Sequence, residues 1–298
     1  MSKQKALFDP DFLTRLELLS ILAKRAFAGQ LRGQRRSTRR GSSVEFADFR
    51  SYVPGDDFRA IDWNAYARLE HFFIKLFAAE EELRIYLLLD RSDSMDFGQP
   101  NKWDYSRKVA AALAYVGLAN LDRVCLTCLA DDEWNPDDLM PLTRSRAAIF
   151  NIMKYLEKTR THGATDLNRS LTDFTTRIRR PGVAILITDG FSPDGCRQGL
   201  ERLRYAGHQV FLLHLLAPQE LNPQLAGDLR LIDVETEAHL ELSSSPRLLK
   251  MYRRHLEIFT TSLRRFCVGH NVGYVQTDTG IPFDEMVLRT LRHSQLLR

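Results

Sequence analysis

The stretch Ile85–Met95, IYLLLDRSDSM, decides the reading of this chain. Six residues, Ile85 to Asp90, have the unbroken apolar character of a strand covered on both faces, and a polar run follows where that strand ends. Asp90, Ser92 and Ser94 alternate, so a carboxylate and two hydroxyls can turn toward one point. Oxygen donors of this kind suit a hard cation such as Mg²⁺. The carboxyl end of a parallel strand is also where open α/β sheets place their ligands. A binding module is therefore expected before an enzyme.

Working outward, strands and helices alternate. Strands are expected at Ile85–Leu89, Val124–Ala130, Val183–Thr188, Val210–Leu216 and Gly273–Gln276, with a weaker one near His239–Leu242 and a hairpin-like stretch around Leu139–Leu142. Helices are expected at Tyr105–Asn120, Ala147–Glu157, Leu167–Arg177, Gly195–Tyr205, Pro246–Phe266 and Phe283–Arg292. The pattern predicts an α/β fold, a mostly parallel doubly wound sheet with helices on both faces. An N-terminal helical and extended arm precedes it. Its first helix is signalled by Asp9 as cap, Pro10 at the first helical position and Gly29 as a stop, with Phe12, Leu16, Leu19, Leu22 and Ala26 on one face.

Two further loops extend the polar cluster. THGATD, Thr161–Asp166, supplies the Thr165 hydroxyl, and LITDG, Leu186–Gly190, ends a second apolar strand with Asp189. Right-handed crossovers can bring the three segments to one edge of the sheet. Ser92, Ser94 and Thr165 would ligate the ion directly, with Asp90 and Asp189 acting mainly through water and one octahedral position left open. Taken singly, each segment has a bland reading as a turn or a helix cap. Their order and spacing together favour a metal site for Mg²⁺ or Mn²⁺.

DRSDSM, GATDL and ITDG resemble the three segments of the metal-ion-dependent adhesion site of von Willebrand factor A domains, and all five ligand positions match. A longer motif, RRGSSVEFADFRSYVPGDDFRAIDWNAYAR at Arg39–Arg68, resembles the signature of the domain of unknown function 58 family. Residues 1–38 lie outside that resemblance; the chain is expected to divide into an N-terminal arm over residues 1–80 and a von Willebrand factor A-like domain over 81–298. The resemblance also implies a MoxR-type AAA+ ATPase as partner, with this chain serving complex assembly or chaperone-like remodelling. The open metal position would receive an Asp or Glu of a protein partner.

Composition bounds the alternatives. With 298 residues, 44% of them apolar, the chain can bury a full core. No run of about 18 apolar residues marks a membrane span, and MSKQKALFDPDF lacks a signal peptide's apolar core, so a cytoplasmic protein is expected. Cys125 and Cys128 resemble a metal-binding pair, but strand residues three apart face opposite ways, so they read as core residues. Disulfides and zinc are not expected from the four cysteines. Residues 1–40 carry +7 of a net charge of +4 for the whole chain, and five arginines lie between Arg32 and Arg40. That run reads as a solvated loop, an acidic-partner contact, or a nucleic-acid or lipid contact; it has no interleaved aromatics. In Pro54–Arg68, Asp56 or Asp57 reads as stabilising the turn after Pro54-Gly55, and Arg50, Arg59 and Arg68 read as partners of Asp57, Asp62 or Glu80 that clamp the arm on the main domain, rather than as a second metal site; Trp63 reads as a core residue. No GxxxxGK[ST] or GxSxG motif is present. The competing classes are a metal-dependent hydrolase, with Asp90 or His162 activating water, and a nucleic-acid-binding regulator acting through Arg32–Arg40.

Overall fold

The computed structural model describes residues 7–34, 46–77, 83–129, 139–224, 227–235, 239–243 and 245–293. Most of the Arg32–Arg40 run lies outside the described residues, as do all its side chains. The chain divides into two compact units, Met1–Ala26 together with Leu83–Leu297, and Phe27–Glu82.

Helix α1 spans Pro10–Gln34. Asp9 Oδ1 accepts the Phe12 N–H at 2.9 Å, as its capping role requires. The helix runs past Gly29, because a glycine weakens a helix by about 1 kcal/mol without ending it. Phe12, Leu16 and Leu19 are buried, while Leu22 is exposed.

In the Phe27–Glu82 unit, β1 (Phe46–Ser51) pairs antiparallel with β2 (Phe73–Phe77). Between them lies α2 (Trp63–Leu69), capped by Asp62, whose carboxylate accepts the Asn64 and Ala65 N–H groups. Asp56 braces the Pro54-Gly55 turn by accepting the Val53 N–H at 3.0 Å, and pairs with Arg50 at 2.9 Å. Asp57 accepts the Arg59 N–H at 3.0 Å. Each of these acids thus serves a turn or a cap. Trp63 does not fill a core pocket: it is 58% exposed, edge-on to Tyr66 and Phe72. A helix of two turns has too little inward surface to bury every aromatic it carries. Trp63→Ala is therefore expected to cost less than about 1.5 kcal/mol, read as a small shift of the urea midpoint.

The larger unit continues with β3 (Arg84–Asp90), α3 (Lys102–Ala119), β4 (Arg123–Leu129), β5 (Leu139–Thr143), α4 (Ala148–Lys158), α5 (Leu167–Arg177), β6 (Val183–Thr188), α6 (Arg197–Tyr205), β7 (Gln209–Leu216), α7 (Pro218–Leu221), β8 (Asp228–Ile232), β9 (His239–Ser243), α8 (Pro246–Gly269), β10 (Gly273–Asp278) and α9 (Phe283–His293). Six strands form one sheet in the order β10-β7-β6-β3-β4-β5. All neighbours are parallel except β5, which runs antiparallel to β4. β8 and β9 form a separate antiparallel pair.

Helices cover both faces. Tyr86 and Leu88 share a core with Leu167, Leu171 and Phe174 of α5, Leu200 and Leu203 of α6, and Leu263 and Cys267 of α8. The alternate residues of β3 meet α3, where Gly117 lets the helix approach: a Cβ there would lie 2.9 Å from Ile85 Cδ1 and Val124 Cγ2. The part of α1 up to Ala26 falls in this larger unit, where its N-terminal turns meet α9. Phe12 lies 4.8 Å from the Phe283 ring, and Arg15 pairs with Asp284.

Cys125 and Cys128 are buried, and only Cys125 shares the core beneath α5 and α6. Burial pushes the Cys125, Cys196 and Cys267 thiols up to about 12. Among the described residues no helix is long and apolar enough to cross a membrane.

Candidate metal centre

The order of strands reverses at β3. The chain crosses from β3 to β4 on one side and later returns to place β6 on the other. Asp90 is the last residue of β3 and Asp189 follows β6 directly, so both carboxylates stand at the switch point where open sheets leave a crevice.

Asp90 is fixed at both oxygens. Oδ1 accepts the Ser92 N–H at 3.0 Å and Oδ2 accepts the Thr188 hydroxyl at 2.6 Å. Thr188 Oγ1 in turn accepts the Gly190 N–H at 2.8 Å, a turn that uses the left-handed backbone of Gly190, at φ +73°. Asp90 is 1% exposed. Burial, then the neighbouring charge of Asp189, pushes its carboxyl up to about 6, against hydrogen bonds from Thr188 and Ser92.

The loop after β3 is tied to the loop before α5. Asp93 N–H donates to the Gly163 carbonyl and Gly163 N–H to Asp93 Oδ2, each at 2.8 Å, while His162 N–H donates to the Arg91 carbonyl at 2.9 Å. The Ser92 and Ser94 hydroxyls touch at 2.9 Å. Thr165, two residues beyond Gly163, is 1% exposed, and its hydroxyl finds no hydrogen-bond partner among the described residues. His162 is exposed.

Asp189 has an arrangement that sequence reading missed. It is fully buried, and its Oδ2 accepts from Lys102 Nζ at 2.6 Å while Oδ1 accepts the Phe191 N–H at 3.0 Å. Lys102, also fully buried, donates to Glu220 Oε1 at 2.6 Å. Glu220 Oε2 accepts the Ala217 N–H. Burial raises the Glu220 carboxyl, and Lys102 opposes the rise. One signal for Lys102 was available: it is the first residue of α3, where the helix dipole disfavours a cation, so a lysine there calls for acidic partners. Behind Asp189, His214 Nε2–H donates to its backbone carbonyl at 2.8 Å. A carbonyl only accepts, so Nδ1 is the unprotonated nitrogen and takes the Tyr274 hydroxyl at 2.8 Å. Burial pushes His214 down to about 4.

These residues fit a divalent cation. Lys102 pairs with Asp189 and Glu220, while the buried Asp90 carboxylate feels the charge of Asp189 and has no ammonium of its own among its contacts. Three hydroxyls, Ser92, Ser94 and Thr165, lie on the tied loops, and one of them is an orphan. Among the described residues no group of three or more His, Cys, Asp or Glu is placed to hold a metal, so hydroxyls would have to supply part of the set.

An α/β domain with a mostly parallel sheet, bearing hydroxyls and buried carboxylates at its switch point, is the class so defined. Within that class the chain belongs to the family described as protein of unknown function DUF58, whose match covers residues 48–257. Uncharacterized proteins of Mycobacterium bovis and Mycobacterium tuberculosis are each 25% identical over 248 residues, 83% of this chain and 78% of theirs. Among solved structures, an aerotolerance-related membrane protein of Bacteroides fragilis is 15% identical, over 72% of this chain and 99% of that chain, with a TM-score of 0.46. Manganese-loaded TRAP protein of Plasmodium vivax is 16% identical, over 45% of this chain and 57% of that chain, with a TM-score of 0.32.

Proposed function

We propose that this chain is a metal-dependent protein-binding module of the von Willebrand factor A type, acting in the cytoplasm and not as an enzyme. The observation that carries the reading is the buried Thr165 hydroxyl without a partner, on the loop tied to Ser92 and Ser94. A buried hydroxyl left unpaired costs about 1–3 kcal/mol, and a ligand that it meets removes that cost. Ser92, Ser94 and Thr165 would hold Mg²⁺ or Mn²⁺, with Asp90 and Asp189 behind them. Bound there, the ion would supply a hard centre with affinity for a carboxylate of a partner protein. The chain's own residues prepare the place. Thr188 and the Ser92 N–H aim Asp90, Lys102 neutralises Asp189, and His214 fixes the backbone of Asp189. The family resemblance supports a MoxR-type AAA+ ATPase as the partner, consistent with the lack of an ATP-binding loop in this chain.

Calorimetry with Mg²⁺ and Mn²⁺ tests the reading. Wild type is expected to bind one ion, and Thr165→Val to weaken it at least about tenfold, the scale of losing one ligand or its support. The variant's melting temperature in EDTA should hold or rise, since an orphaned hydroxyl has been removed. Failure of the wild type to bind either ion at millimolar concentration overturns the reading, as does unchanged affinity in Thr165→Val.

A further inference from the structure

Helix α8 carries a surface that the candidate centre does not use. Its inward face holds Leu263 and Cys267 in the core, with Phe259 and Phe266 packed against them. Before Leu263 no residue of the helix is buried. On the opposite side Met251, Arg254, Ile258, Thr261, Arg265 and Val268 follow one another at alternating steps of three and four residues, and all six are exposed. That spacing sets them in one stripe along the helix. Its apolar members, Met251, Ile258 and Val268, are 50%, 56% and 70% exposed. The helix also carries six exposed cations, Arg247, Lys250, Arg253, Arg254, Arg264 and Arg265, against a single acid, Glu257. None of the six forms an ion pair among the described residues. Arg247 stands in a first turn that holds no acid, where the helix dipole favours acids and opposes cations.

We propose that this outer face of α8 is a docking surface for an acidic amphipathic helix of a partner protein, whose apolar side chains seat on Met251, Ile258 and Val268 and whose carboxylates meet the flanking arginines. Charge complementarity selects the occupant, since unpaired cations in this excess call for a partner of the opposite sign. The pattern selects a protein helix among acidic partners. Nucleic acid is bound chiefly through its phosphates and sugars, and leaves three apolar side chains in register without a use. A bilayer would have to take in Arg254 and Arg265, which interrupt the apolar line, because the continuous apolar face of the helix is already turned to the core. Glu257, set among the cations, is repelled by either polyanion but can pair with a basic residue of a partner helix. The surface adjoins the candidate centre: Phe259 of α8 stacks on Phe191 at 5.6 Å, and the Phe191 N–H donates to Asp189. The contact itself requires no metal ion and stands apart from the metal-binding reading.

Fluorescence anisotropy on the full chain in EDTA tests this, with a labelled synthetic helix of about three heptads as the probe, leucine at its seam positions and glutamate at its flanks. A scrambled peptide of the same composition, duplex DNA and phosphatidylserine vesicles are the comparison probes. Wild type is expected to bind the patterned peptide at least about tenfold more tightly than the scrambled one. Arg254→Glu combined with Arg265→Glu should weaken binding at least about tenfold, and Ile258→Ser by roughly fivefold. The melting temperatures of these variants should match wild type, because all three side chains are exposed. Mg²⁺ in place of EDTA should leave the affinity within about twofold, the effect of modest screening. Equal binding of the scrambled peptide, or unchanged affinity after the charge reversal, overturns the proposal. Tighter binding of DNA or vesicles than of the patterned peptide assigns α8 to that class of partner and overturns it too, as does binding of no probe at all. Peptide binding that appears only with Mg²⁺ would place the contact at the metal, so that this proposal fails while the metal reading stands.

Discussion

Lys102→Met is expected to destabilise the larger unit by about 3–5 kcal/mol, the usual loss when one member of a buried ion pair is removed and the other is left charged. Methionine fills much of the same volume, so the loss isolates charge from packing. Asp189 and Glu220 would be left in the interior with only backbone N–H donors from Phe191 and Ala217. At about 2–4 °C per kcal/mol for a domain of this size, the melting temperature should fall by roughly 10 °C. Adding Glu220→Gln to Lys102→Met should cost much less than it does alone, because the two side chains share one contact. Thermal melts of the four proteins in EDTA read this directly. A Lys102→Met melt within two or three degrees of wild type, roughly 1 kcal/mol, would show that the ammonium is not buried against Asp189.

The second large effect concerns pH. His214 is held neutral, down at about 4 against an ordinary value of 6.5. The sign follows from the depressed value: its stabilising contribution is complete above pH 6.5 and is lost as the pH falls toward 4. At about 1.36 kcal/mol per pKa unit, roughly 2.5 kcal/mol is lost by about pH 4.5. Asp90, raised to about 6, acts in the opposite sense over an overlapping range, since its charging penalises the fold as the pH rises. The whole-protein profile therefore mixes the two, and a variant is needed to separate them. The stability difference between wild type and His214→Gln, from urea unfolding, should shrink by about 2.5 kcal/mol between pH 7.5 and 4.5. A difference constant within about 0.5 kcal/mol over that range would mean that His214 charges freely in the fold.

The sheet was legible because its strands are apolar on both faces. The run at β6, Val183–Thr188, has the bounds that hydropathy assigns it, and so does α5, Leu167–Arg177. Strand β3 extends its expected core by one residue at each end. Less was visible where periodicity is weak. Strand β8 (DLRLI) is interrupted by Arg230 and α7 has only four residues, and neither was anticipated. Trp63 went the other way, since aromatic character alone does not say which side of a short helix meets the interior.

In the candidate site the division is just as physical. Asp90, Ser92 and Ser94 lie within five residues, so strand geometry alone clusters them; the strand-end positions of Asp90 and Asp189 follow from apolar runs that stop abruptly. The chain by itself thus determined an α/β sheet with acids and hydroxyls at its carboxyl edge. Lys102 meets Asp189 across 87 residues and Glu220 across 118, and Thr188 reaches Asp90 across 98. Only the tertiary structure decided these pairings, because a buried charge takes whichever partner the crossovers deliver, and no local pattern along the chain encodes that choice.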